Sequence, residues 1–176
     1  MLPERHTLEI PLTNVNIKRA LLSDSDKTEN ALVAALHIKS SIKLSKTHDV
    51  RVAIGLGTEN FKSKKITEAN GSAFVNSGEC YDEMKKQTLA IKTNNKDFDQ
   101  SLNTMLAVSQ LVMNNWTTTV AEVIKTTLEN PTKNQQDIAT LLNKSQSSIS
   151  EALKRGGFEE IMKINEFYLN NLLKLW

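Results

Sequence analysis

The sequence predicts an α+β chain, a small sheet with packed helices followed by a region of helices alone. Three observations predict it. Short apolar runs of strand length alternate with helical periodicities as far as residue 92, from Phe98 onward only the helical period is left, and a polar break, "NNKD" at 94–97, separates the two patterns. The break divides an α/β domain, 1–96, from a helical domain, 97–176. At 176 residues and 39% apolar content the chain can bury the core of one ordinary domain or two small ones.

"HTLEIPL" alternates apolar and polar residues like a strand, with Pro11 confining it to an edge or a strand end. After the polar break "SDSDKTEN", Ala31, Leu32, Ala35, Leu36, Ile38 and Ile42 recur at helical spacing, with Asp26 or Thr28 as N-cap. "DVRVAIGLG", 49–57, is a β-branched run ending in glycines and suits a buried strand. A loop with Lys62, Lys64, Lys65 and the turn dipeptide Asn70-Gly71 follows, then a helix from Ser72 to Lys86. Its stripe is Phe74, Val75, Gly78, Tyr81 and Met84, with a small residue against the sheet, and "TLAIKT" is the next strand.

The helical half opens with a stripe of Phe98, Leu102, Met105, Leu106, Val112, Met113 and Trp116. Thr119 with Glu122 has capping-box spacing for the next helix, which Asn130-Pro131 stops, and Thr132 with Gln135 repeats that spacing. After a hinge-like Gly156-Gly157, the tail sets Phe158, Ile161, Met162, Tyr168, Leu169, Leu172, Leu173 and Trp176 on one broad stripe. That stripe either packs on the chain's own core or forms a subunit contact.

Residues 132–155, "TKNQQDIATLLNKSQSSISEALKR", carry the functional signal. Ile138, Ala139 and Leu142 form the inner face of a short helix, Asn143 tolerates the left-handed backbone of a sharp turn, and Ser145 caps a second helix buried through Ile149, Ala152 and Leu153. Small Ala139 lets the two helices cross closely. The spacing is that of a DNA-binding helix-turn-helix, with asparagine at the turn where glycine is usual. In a major groove the second helix would bring Gln146, Ser147 and Ser150 to base edges, with Ser148, Lys154 and Arg155 nearer the phosphates and the cap Ser145 counted with them among the DNA-binding residues. Glu151 would read cytosine or pair with Lys154 or Arg155. Serines near a helix start are also ordinary caps, so the motif competes with a plain helical hairpin.

"VRVAIGLG" and "ANGSAFVNSGECYDEM", with its G-x-A-F start at Gly71–Phe74, resemble the strand, loop and helix of class III nucleotidyl cyclases and of the SatD-like bacterial proteins. The resemblance covers 48–92 and the tail motif, and it implies a cyclase-like, ferredoxin-like sheet in the front half and a C-terminal helix-turn-helix. The family's opening strand with an early aspartate, and its "G-D-x-F" turn, are absent here. The chain would thus be shortened at its start, or be a divergent member whose open sheet edge a partner covers. Those carboxylates would hold the metal ions of a cyclase, so no catalytic residues and no enzyme activity are expected.

Other chemistry falls away. Asp24, Asp26, Asp49, Glu59, Glu68, Glu79, Asp82 and Glu83 form no defensible pair, and His6, His37 and His48 lack metal-ligand spacing. "GLG" at 55–57 is too short for a nucleotide fingerprint. Cys80 is the single cysteine, which excludes a disulfide framework and fits a reducing, cytoplasmic setting. No apolar run reaches membrane-span length, and the start lacks a signal-peptide pattern. Lys and Arg number 22 against 20 Asp and Glu, and from 130 to 176 the balance is six to five. Weak non-specific attraction follows, so binding needs a dimer or several contacts. The sequence-based expectation is a transcriptional regulator acting on double-stranded DNA as a homodimer or higher homo-oligomer, without cofactor or metal. Its front domain would serve assembly or the sensing of a small-molecule or nucleotide effector. The rival is a SatD-like nucleotide- or protein-binding domain whose helical tail only packs or oligomerises.

Overall fold

A computed structural model of the protein describes residues 28–45, 49–57, 59–61, 70–172 and 175. The expected strand "HTLEIPL", the cap Asp26, His6, His48, Lys62, Lys64, Lys65, Leu173 and Trp176 lie outside the described residues. The order is α1 (Ala31–Lys43), β1 (Val52–Gly55), β2 (Glu59–Phe61), β3 (Asn70–Gly71), α2 (Ser72–Glu83), β4 (Leu89–Lys92) and α3 (Lys96–Met113), then α4 (Thr118–Glu129), α5 (Gln135–Leu142), α6 (Gln146–Arg155) and α7 (Phe158–Leu172). The class is α+β and mostly helical. Among the described residues, seven helices accompany a parallel pair, β1 with β4, and a small antiparallel pair, β2 with β3. Asn70-Gly71, expected as a turn, therefore forms strand β3, pairing with the segment around Glu59.

Parallel neighbours need a long connection, and α2 provides it, crossing from β1 to β4. Its approach is close because the strand has no side chain there. A Cβ on Gly55 would stand 2.2 Å from Ser77 N and 2.3 Å from the Ala73 carbonyl oxygen. Gly78 is buried as expected, yet the room comes from the strand's glycine. Backbone so near backbone admits only short groups between, so α2 buries Asn76, Ser77, Gly78 and Cys80, while Val75 of the expected apolar stripe is exposed. Asn76 Nδ2 donates to the Leu56 carbonyl at 2.6 Å, which satisfies the buried amide.

The far edge of β4 is closed by side chains of α3 instead of a third strand. Leu89 N–H donates to Gln110 Oε1 at 3.1 Å, and Gln110 Nε2 donates to the Leu89 carbonyl at 3.0 Å. Asn103 treats Ile91 the same way, accepting its N–H at 2.8 Å and donating to its carbonyl at 2.7 Å. Asp99 accepts the Thr93 N–H at 2.9 Å. Alternate residues of a strand point their amides to the same edge, so 89, 91 and 93 form one row and 110, 103 and 99 answer it antiparallel. The amide Gln110 sits in the same buried register as Phe98, Leu102, Leu106 and Met113, which displaces Met105 and Val112 from the expected stripe.

Behind the sheet, Lys39 of α1 is almost wholly buried. Its ammonium donates to Thr88 Oγ1 at 2.9 Å and to the Val50 carbonyl at 3.3 Å, with Asp49 at 3.8 Å. Burial lowers its pKa to about 8 against the attraction of Asp49, with Lys43 adding to the lowering.

A single hydrophobic cluster runs from Leu32 and Leu36 through Ile54 and Leu89 to Leu106, Ile124, Ile149 and Tyr168, so the two halves of the chain share a core across 94–97. Three helix starts differ from the sequence-based expectation. Asn30 rather than Thr28 precedes α1, and it makes no side-chain cap bond. α4 starts earlier than the Thr119 and Glu122 spacing implies, because Thr117 accepts the Val120 N–H, and α5 starts later than Thr132, at a reciprocal capping box of Asn134 and Asp137.

Gly156-Gly157 is a packed corner and not a hinge. A Cβ on Gly156 would stand 2.6 Å from Ile124 Cδ1, and the Gly156 carbonyl accepts the Trp116 indole N–H at 2.9 Å. α7 then returns to the core, burying Ile161, Asn165, Tyr168 and Leu172, with the Tyr168 hydroxyl donating to the Thr28 carbonyl. The apolar stripe of the tail is thus used within the chain for these residues.

Replacing Gln110 with leucine keeps the volume and leaves the Leu89 N–H and C=O without partners, so stability should fall by about 3 kcal/mol in urea unfolding, since each orphaned buried group costs roughly 1–3 kcal/mol. A loss below about 0.5 kcal/mol would show that solvent serves that edge equally well.

Candidate nucleic-acid interface

Helices α5 and α6 are joined by three residues whose geometry follows from their identities. Asn143 adopts φ 50° and ψ 48°, the left-handed region, and among the described residues it is the one non-glycine with positive φ. Asparagine tolerates that region better than any other side chain, and it lets the Lys144 N–H turn back to the Ala139 carbonyl at 2.9 Å. Lys144 then reaches across to α4, its ammonium 2.9 Å from Glu122 Oε2. The turn is fastened to α5 through its backbone and to α4 through a side chain.

The inner faces are as the periodicity requires. Ile138 and Ala139 of α5 and Ile149 and Ala152 of α6 are buried, and Leu142 and Leu153 are partly buried against the same cluster. α6 packs on α4, α5 and α7 and leaves its outer surface to solvent. Every residue singled out there is exposed: Ser145, Gln146, Ser147, Ser148, Ser150, Glu151, Lys154 and Arg155. The structure brings all of them onto one short helix and its cap.

Ser145 caps α6, its Oγ accepting the Ser148 N–H at 3.2 Å. The same oxygen lies 3.0 Å from Ser147 Oγ and 2.8 Å from Ser148 Oγ, so the three hydroxyls form one bonded cluster. Lys154 and Arg155 occupy the last turn, where cations favour the helix dipole, and Arg155 Nη1 is 3.7 Å from Glu151 Oε1. Both partners of that pair are more than half exposed, so it contributes little to stability. Lys133, Lys154 and Arg155 are exposed on this part of the surface, whereas Lys144 is engaged with Glu122.

Elsewhere the chemistry is quiet. Cys80 is buried, and burial, with Glu83 nearby, pushes its thiol up to about 11, which favours the protonated thiol at neutral pH. His37 shares a 2.9 Å hydrogen bond with Glu129, joining α1 to α4. Among the described residues no group of three or more His, Cys, Asp or Glu could hold a metal ion, and no helix is long and apolar enough to cross a membrane. Gly55 and Gly57 serve helix packing, since a Cβ on Gly57 would stand 2.6 Å from Ala73 N.

A shallow cleft of about 420 Å³ lies between α2, β4 and α3, with Cys80, Met84, Lys92, Lys96, Asp99 and Asn103 among its walls. Its polar groups are largely engaged. Lys92 is held by Glu83 at 2.7 Å and Glu79 at 3.0 Å, hydrogen bonds that raise its pKa, while Asp99 and Asn103 serve β4.

The Lys144–Glu122 tie and the α3 amides escaped the sequence reading. An amide at 110, four residues after Leu106 in an otherwise apolar register, was the signal for the second; nothing in the sequence signals the first.

Asn143→Ala should cost about 1 kcal/mol in thermal or urea unfolding and Asn143→Gly should be neutral or stabilising, because only the alanine is penalised by the left-handed backbone. Equal stability of the two variants would mean that the turn relaxes out of that region.

A profile of the SatD family matches residues 22–171. No curated protein and no solved structure matches the chain.

Proposed function

The chain belongs to the SatD family; from the geometry of α5 and α6, and not from that membership, we propose that it is a DNA-binding transcriptional regulator in which these two helices act as a helix-turn-helix on double-stranded DNA. The observation that carries this reading is the exposure of all eight nominated side chains, Ser145 to Arg155, on a helix whose opposite face is buried and whose preceding turn is left-handed. A helix held in this way presents short hydroxyl and amide groups to a groove with little bulk between backbone and base edges. Glu122 and Lys144 fix the turn, so the presenting face is preorganised.

In this reading the protein works as a homodimer. With Lys133, Lys154 and Arg155 as the cations exposed on and beside α5 and α6, one copy holds phosphates weakly, and two copies on adjacent half-sites add their contacts. The front part, a parallel pair of strands packed with helices, serves assembly or sensing. The cleft of about 420 Å³ beside β4 favours a second reading, in which a nucleotide or other small molecule binds there and the helical region only packs.

Fluorescence anisotropy with random duplexes at several salt concentrations separates the two. The account expects a slope of log K against log salt of about −3 per copy. It also expects at least about tenfold weaker binding by Ser147→Ala/Ser150→Ala/Lys154→Ala, with unchanged thermal unfolding. Absence of binding by the folded wild-type chain at low salt would defeat the DNA reading.

A further inference from the structure

Resting on the DNA-binding reading, we propose that Gln146 is the residue through which α6 selects its site, and that it selects adenine. The hydroxyls of Ser147 and Ser148 each already have a partner in the Ser145 hydroxyl. Gln146 and Ser150 have side chains without a hydrogen-bond partner among the described residues, and both are exposed. Four residues apart, they share one ridge on the solvent-facing side of the helix.

A glutamine amide offers one acceptor and a donor side by side, the complement of the N6 amino group and N7 of adenine in the major groove. Ser150 adds a hydroxyl that can serve either kind of base. Guanine has no bidentate reader. Its usual partner is an arginine or lysine at O6 and N7, and positions 146 to 151 carry neither. The nearest cations along the helix, Lys154 and Arg155, lie about 12 Å or more beyond Gln146 on the axis, a distance that suits phosphates. Glu151 can only accept, so it offers nothing to guanine O6 or N7 and would meet a cytosine amino group.

The test is selection from a randomised duplex pool by the full-length chain and by Gln146→Ala, with matched melting temperatures as the folding control. Anisotropy then compares the selected duplex with a copy carrying 7-deazaadenine, which lacks N7, at the enriched position. The proposal expects an adenine enriched by the wild type and not by Gln146→Ala, and about tenfold weaker wild-type binding to the 7-deaza duplex. Guanine at that position, or the same adenine preference in Gln146→Ala, would overturn the proposal while leaving DNA binding intact. No enrichment over the starting pool by the wild-type chain would overturn both.

Discussion

The open edge of β4 is the constraint on which the rest of the architecture depends. A strand with a neighbour on one side only must satisfy its other row of amides, and here Gln110, Asn103 and Asp99 do so from a helix. The lengths suit each other: 89 to 93 spans roughly 13 Å of strand and 99 to 110 roughly 16 Å of helix. Because each contact is bidentate or charge-assisted, α3 cannot slide or rotate against the sheet without orphaning several buried groups at once. Its direction then decides where the chain emerges. Trp116 follows α3 directly, and its indole N–H holds the Gly156 carbonyl at the end of α6.

The exposed helix is therefore held at both ends by groups that do not touch its outer face. Gly156 is pressed against Ile124 and bonded to Trp116 at one end, while Asn143, Lys144 and Glu122 set the other. Ile149 and Ala152 close the inner side. Such a helix can lay down a fixed pattern of donors and acceptors, which direct readout requires. The electrostatics point the same way. The chain carries a net charge of only +2, so long-range attraction for nucleic acid is small, and any discrimination has to come from short-range contacts made after encounter.

The sequence disclosed the helical half better than the sheet. Ala139, Asn143, Ser145 and Ile149 each have a steric or hydrogen-bonding reason to stand where they do, and those reasons are local, within one or two turns of helix. The capping residues were misplaced by two residues at α4 and α5, because Thr, Asn and Asp crowd both regions and cap spacing alone is degenerate. What was illegible is long-range. Reading α2 as an apolar stripe missed that Gly55 removes the space for large side chains, and reading α3 by its hydrophobic residues missed that its amides stand in for a strand. Likewise Gly156-Gly157 has the composition of a hinge, and only the positions of Ile124 and Trp116 turn it into a corner.

The central claim is that α6 meets DNA with its outer, N-terminal face, and hydrogen exchange measured on the full chain with and without a random duplex at low salt tests it most directly. The account predicts slower exchange concentrated between Asn143 and Glu151, with β4 and α3 unchanged. Protection confined to the β4 cleft, or no change anywhere under conditions that keep the chain folded, would contradict it.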